Sequence, residues 1–126
     1  MSRLFVDSSA IVAIALGESS ADEVRVELAA ATDVLASGLL EAEVRSACRR
    51  ERRQVESAIL AGIELIHPAD ALTTEIDRVL DAGHLAGADC WHLAVALLAS
   101  PFPGDCLFLT LDVRQRAVAK KLGFRV

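Results

Sequence analysis

The stretch RLFVDSSAIVAIALG, residues 3–17, decides how the rest of the chain is read. Leu4-Phe5-Val6 is a short apolar run of the length of a buried strand. Asp7-Ser8-Ser9 then supplies the short polar side chains that start helices. Residues 8–16 read as a helix, and Gly17 ends it. A strand passing directly into a helix through a polar turn is the first half of a strand–helix–strand unit. The same grammar recurs along the chain. Residues 21–31, 39–52, 54–61, 70–82, 87–99 and 113–122 read as helices. Residues 34–36, 63–66, 106–111 and 124–126 read as strands. Strands alternating with helices predict an α/β fold: a three-layer sandwich with a mostly parallel central sheet flanked by helices.

The chain has 126 residues and is 53% hydrophobic. Both fit a single domain, residues 1–126, with a substantial core. No run approaches the roughly 18 apolar residues of a membrane span. Asp7 interrupts the apolar start, so a secretory leader is not expected, and cytoplasmic residence is. Cys48, Cys90 and Cys106 are odd in number, lie in apolar contexts and lack metal-type spacing, so buried free thiols are expected.

Four acids stand where acids are expensive. Asp7 follows Leu4-Phe5-Val6, and Asp112 follows Leu107-Phe108-Leu109-Thr110-Leu111. Each also reads as a helix N-cap. At 3.6 residues per turn, Glu43 shares a helix face with Leu40, Val44 and Ala47, whereas Glu41 lies on the wet face, spaced to pair with Arg45. Asp89 opens the apolar helix Ala88–Ala99, as a cap or as part of a site. His92 lies three residues on, as a core histidine or a donor orienting a carboxylate.

In parallel α/β folds ligands bind at the carboxyl ends of the strands, which places Asp7 and Asp112 on one edge. Crowded carboxylates repel unless a cation is shared. An all-oxygen set suits Mg²⁺, with Mn²⁺ as substitute, and such an ion activates water and offsets charge on phosphate. His67, His84 and His92 show no zinc spacing.

The net charge is −5, unusual for a general nucleic-acid binder, but the basic residues are grouped. Arg49, Arg50, Arg52 and Arg53 form one group, a solvated helix end or a phosphate-tracking rim. Arg114, Arg116, Lys120, Lys121 and Arg125 form another beyond Asp112, and Arg114 is the preferred phosphate contact. With one Trp, four Phe and no Tyr, base stacking is not expected to dominate RNA binding.

Four blocks together resemble the PIN-domain ribonucleases, most closely the VapC-type toxins of bacterial toxin–antitoxin pairs. They are Phe5-Val6-Asp7-Ser8-Ser9-Ala10, Ser37-Gly38-Leu39-Leu40-Glu41-Ala42-Glu43-Val44, Gly87-Ala88-Asp89-Cys90-Trp91-His92-Leu93-Ala94 and Leu109-Thr110-Leu111-Asp112. The resemblance implies a Mg²⁺-dependent endoribonuclease acting on single-stranded RNA. It implies Asp7, Glu43, Asp89 and Asp112 as metal-holding residues and a homodimer. It also implies a cognate antitoxin that blocks the site. Ser8 and Thr110 match hydroxyl positions beside the acids. Ala86 departs from the pattern, since related chains often carry a basic residue there, and Asp112 matches the family's most variable acidic position.

Other acidic α/β classes fit less well. An aspartyl phosphatase wants a second acid where Ser9 stands. A receiver domain wants paired acids at the first strand end and a later Lys. A PIN-like module that binds RNA or protein without cutting is the remaining alternative.

Overall fold

The structure, a computed structural model, describes residues 2–126. In chain order its elements are β1 (Arg3–Val6), α1 (Ser8–Leu16), α2 (Ala21–Ala30), β2 (Asp33–Ser37), α3 (Leu39–Arg50), α4 (Ser57–Ala61), β3 (Glu64–Ile66), α5 (Thr73–Ala82), α6 (Gly87–Ala99), β4 (Cys106–Leu109) and α7 (Val113–Lys121). A short 3-10 turn at Pro103–Asp105 leads into β4. The four strands form one sheet in the order β3-β2-β1-β4, with every pairing parallel.

Alternation in β1 builds the three layers, because successive side chains point to opposite faces. Leu4 and Val6 enter one core with Ala36, Ile11, Val24, Leu40 and Val44, beneath α1, α2 and α3. Phe5 enters the other with Leu35, Phe108, Leu93 and Val79, beneath α5, α6 and α7. Phe5 and Phe108 lie side by side on neighbouring strands, their rings stacked with centroids 5.8 Å apart. α6 is buried almost all round, as its apolar sequence requires. Cys48, Cys90 and Cys106 are buried free thiols.

The ends of the elements follow local chemistry. Gly17 closes α1 in the left-handed region (φ 67°) and returns its N–H to the Ala13 and Ile14 carbonyls. At the end of α3 the same left-handed position is taken by Arg52 (φ 56°). Its N–H reaches the Arg49 carbonyl, and that of Arg53 reaches Cys48. Gly38, between β2 and α3, is a glycine for another reason: a Cβ there would stand 2.3 Å from the His67 ring.

Several expected boundaries need correction. β4 ends at Leu109 and not at residue 111, and α3 ends at Arg50 and not at residue 52. Residues 124–126 form a single bridge, Leu107 to Arg125, and not a strand. The Phe124 N–H is spent on the Ala119 carbonyl, which leaves Arg125 alone lying along β4. α5 starts at Thr73 and not at residue 70, with buried Leu72 as its anchor. α4 starts at Ser57 and not at residue 54, because the left-handed turn at Arg52 sends the chain out of helical geometry first.

Candidate functional site

β1 and β4 run parallel side by side, so both of their carboxyl ends open on one edge. The Asp7 N–H donates to the Leu109 carbonyl (2.9 Å), which ties the two exits together. Both exit acids cap the helix that follows. Asp7 Oδ2 accepts from the Ser9 N–H (3.1 Å), and Asp112 Oδ1 accepts from the Gln115 N–H (2.8 Å). The two differ in surroundings: Asp7 is buried and Asp112 is exposed.

Asp89 is not a cap. α6 begins at Gly87 with Ala86 before it, so Asp89 falls inside the first turn with its side chain free of backbone duty. There it favours the positive end of the helix dipole. Glu43 lies on the inner face of α3, between buried Leu40 and Val44 and about 38% exposed at its side chain, while Glu41 pairs with Arg45 at 2.8 Å on the outer face.

His92 joins these acids from beneath. It is fully buried. Its Nδ1 lies 2.7 Å from Ser37 Oγ, and its Nε2 meets Glu43 Oε1 and lies 3.8 Å from Asp7 Oδ1. A carboxylate only accepts, so Nε2 carries the hydrogen toward Glu43. The Ser8 hydroxyl donates to the same Glu43 oxygen at 2.6 Å. Glu43 is thus oriented by two donors from two other elements.

Gln115 is the residue that sequence reasoning missed. A glutamine on a helix rich in Arg and Lys reads as solvent-facing, yet this one is fully buried. Its Nε2 donates to Asp7 Oδ1 (3.3 Å) and to the Asp89 carbonyl (3.2 Å), and its Oε1 accepts from the Thr110 hydroxyl (2.7 Å). The reverse amide orientation would aim an oxygen at two acceptors, so the surroundings fix the assignment. The one available signal was its position, three residues past a capping Asp, where its backbone N–H is drawn to the turn. Thr110 Oγ1 also receives the Asp112 N–H (3.1 Å), so this hydroxyl braces Asp112 directly and Asp7 through Gln115, to which its one hydrogen goes.

The four carboxylates converge electrostatically. The Asp89 carboxyl is raised above the usual carboxylate range, first by burial, then by the negative charges of Asp7 and Asp112, with Glu43 adding to them and His92 opposing. Among the described residues, no three His, Cys, Asp or Glu side chains stand close enough to chelate one ion directly. The donor set still suits a hard divalent cation in kind, being all oxygen and mutually repelling.

Residues 4–121 match the PIN domain family. This chain belongs to the PIN-domain family. PIN domains are generally nucleases, and they generally use divalent metals. No curated protein matches the chain. In this PIN domain the acids lie at the strand exits and at the start of the central helix, the edge where parallel α/β folds carry their ligands. Arg114, in the first turn of α7 and two residues past Asp112, is exposed. Arg49, Arg50, Arg52 and Arg53 do not rim the acids. They sit at the far end of α3, with Arg50 about 10 Å along the axis from Glu43. Among the described residues, no helix is long and apolar enough to cross a membrane.

Proposed function

We propose that this PIN domain is a Mg²⁺-dependent endoribonuclease that hydrolyses phosphodiester bonds in RNA, acting as the toxin of a toxin–antitoxin pair. The observation that carries this reading is geometric: Asp7 and Asp112 cap the helices at neighbouring strand exits, His92 lies against both Glu43 and Asp7, and Gln115 ties Asp7 to the turn of α6 that bears Asp89. Carboxylates gathered on one edge repel one another, and a shared cation relieves that repulsion.

Asp7 and Asp89 would hold Mg²⁺, with Mn²⁺ as substitute, and Glu43 and Asp112 would complete its shell directly or through water. When bound, the ion supplies the positive charge that activates water and offsets charge building on phosphate. The chain's own residues do the positioning. His92 and Ser8 fix one oxygen of Glu43. Gln115, itself held by the Thr110 hydroxyl, holds Asp7 from below. Arg114 is placed to take a phosphate of the strand.

The toxin role, the cognate antitoxin that would block this edge and a homodimer rest on the likeness of the four acid-bearing blocks to VapC-type chains. The phosphatase alternative is weakened at Ser9, whose Oγ accepts from the Leu111 N–H (3.0 Å) and braces a turn where that chemistry needs a free acid.

The test is cleavage of single-stranded RNA by the full chain, with and without Mg²⁺. Wild type is expected to cut only with the ion, and Asp7→Asn and Asp89→Asn to lose cutting while still folding. Full Mg²⁺-dependent activity in Asp7→Asn would overturn the assignment. RNA binding without any cleavage by wild type would favour the binding-only module.

A further inference from the structure

Beyond Asp112 the sequence carries Arg114, Arg116, Lys120, Lys121 and Arg125 and no Asp or Glu, on a chain whose net charge is −5. The fold sorts these bases. Arg116 is tethered, its guanidinium donating to the Thr110 carbonyl at 2.9 Å. Arg114 and Lys121 are seven residues apart, two turns along one face of α7, and both are exposed. Among the described residues neither has a salt-bridge partner.

Between them lies a groove of about 290 Å³, floored by Ala82, Gly83, Ala117 and Val118 and edged by His84, Arg114 and Lys121. No carboxylate lines it. Its depth depends on Gly83, where a Cβ would stand 2.8 Å from Val118 Cγ2. The groove lies next to the acid edge, because Arg114, one of its lining residues, sits two residues past Asp112 in the first turn of α7.

We propose that this groove between the end of α5 and α7 is the track along which a single-stranded RNA leaves the acid edge, with Arg114 and Lys121 holding successive parts of its phosphate backbone. The proposal rests on the nuclease reading for its direction, and on the groove alone for its chemistry. Arg114 and Lys121 are about 10 Å apart along the helix axis, a span for an extended polyanion and not for one small anion. The floor is small, apolar and free of aromatics, which suits sugar and base edges without sequence reading. A groove beside a phosphate-cutting edge, edged by two cations and by no carboxylate, is complementary to the strand that must cross that edge.

The experiment measures binding of a short single-stranded RNA to the full chain in EDTA, across a salt series, so that no cleavage is involved. For single strands log K falls with log salt at about 0.7 per phosphate neutralised. Lys121→Gln is expected to flatten the slope by about 0.7, and Arg114→Gln with Lys121→Gln by about twice that. Lys121→Arg should restore it. Arg49→Gln, an exposed base at the far end of α3, should leave it unchanged. An unaltered slope in Lys121→Gln, or an equal change in Arg49→Gln, overturns the track. So does a polyglutamate peptide whose binding depends on Lys121 while RNA binding does not. If wild type never cuts RNA yet the slope falls as stated, the track stands and the nuclease reading fails. Cleavage with an unaltered slope is the opposite result.

Discussion

A buried carboxylate stays where its donors hold it, and at Asp7 the donor from α7 is Gln115. Its amide spends both hydrogens and its oxygen on three groups from different elements. Gln115→Leu keeps the volume and removes all three bonds, leaving Asp7, the Asp89 carbonyl and the Thr110 hydroxyl short of a partner. Each orphaned buried group costs about 1–3 kcal/mol, so a loss of at least that size is expected in urea unfolding. An unchanged midpoint would mean that water replaces the amide without penalty. Asp89 makes a different case. Its carboxyl is raised in the folded protein, first by burial and then by Asp7 and Asp112. An acid of higher pKa folded than unfolded binds more protons in the native state. Stability therefore falls as pH rises from the ordinary value, about 3.9, through the raised one, and the deficit persists above it. In EDTA, Asp89→Asn should raise Tm at pH 7, and the gain should fade as pH is lowered through that window. A gain independent of pH would assign the effect to something other than charge.

Among the elements, the caps were the most legible. Asp7 and Asp112 could be read as helix starts because a short acid after an apolar run has few other uses, and both caps are present. The inward turn of Glu43 followed from helical periodicity, since α3 shows one buried stripe. Asp89 was ambiguous because Gly87 and Ala88 give no start signal, and the helix begins two residues before it. The partners of His92 were hidden for another reason. Spacing along α6 shows what shares its face, but Ser37 and Glu43 reach it from β2 and α3, 55 and 49 residues away in sequence. Gln115 was illegible because its burial is set by packing across α6 and α7, not by its neighbours. The end of α3 carries its own prediction. Arg52 holds a left-handed backbone that glycine adopts freely. Arg52→Gly should stabilise the protein by about 1 kcal/mol, read from chemical denaturation. A loss instead would show that the guanidinium makes up more than the backbone gives away.

At the scale of the molecule, two cores on opposite sides of one sheet were implied by the alternation of apolar strands and helices, and both are present. The opening of the fold on one edge followed from parallel pairing alone, because every strand then exits in the same direction. What the linear chain does not display is which strands become neighbours. β1 sits in the middle, beside β2 on one side and β4 on the other, although β4 begins more than 100 residues later. The separation of the two basic groups was likewise invisible, since only the fold sends one along α7 from the acid edge and the other to the far end of α3.

The pairing of β1 with β4 also sets an order of events during synthesis. Asp7 leaves the ribosome more than 100 residues ahead of Thr110 and Gln115, the pair that holds it from below. Until then the first strand has no neighbour on that side, and its acid has no brace from α7. The nascent polypeptide therefore carries its acid edge unfinished until α7 has been made.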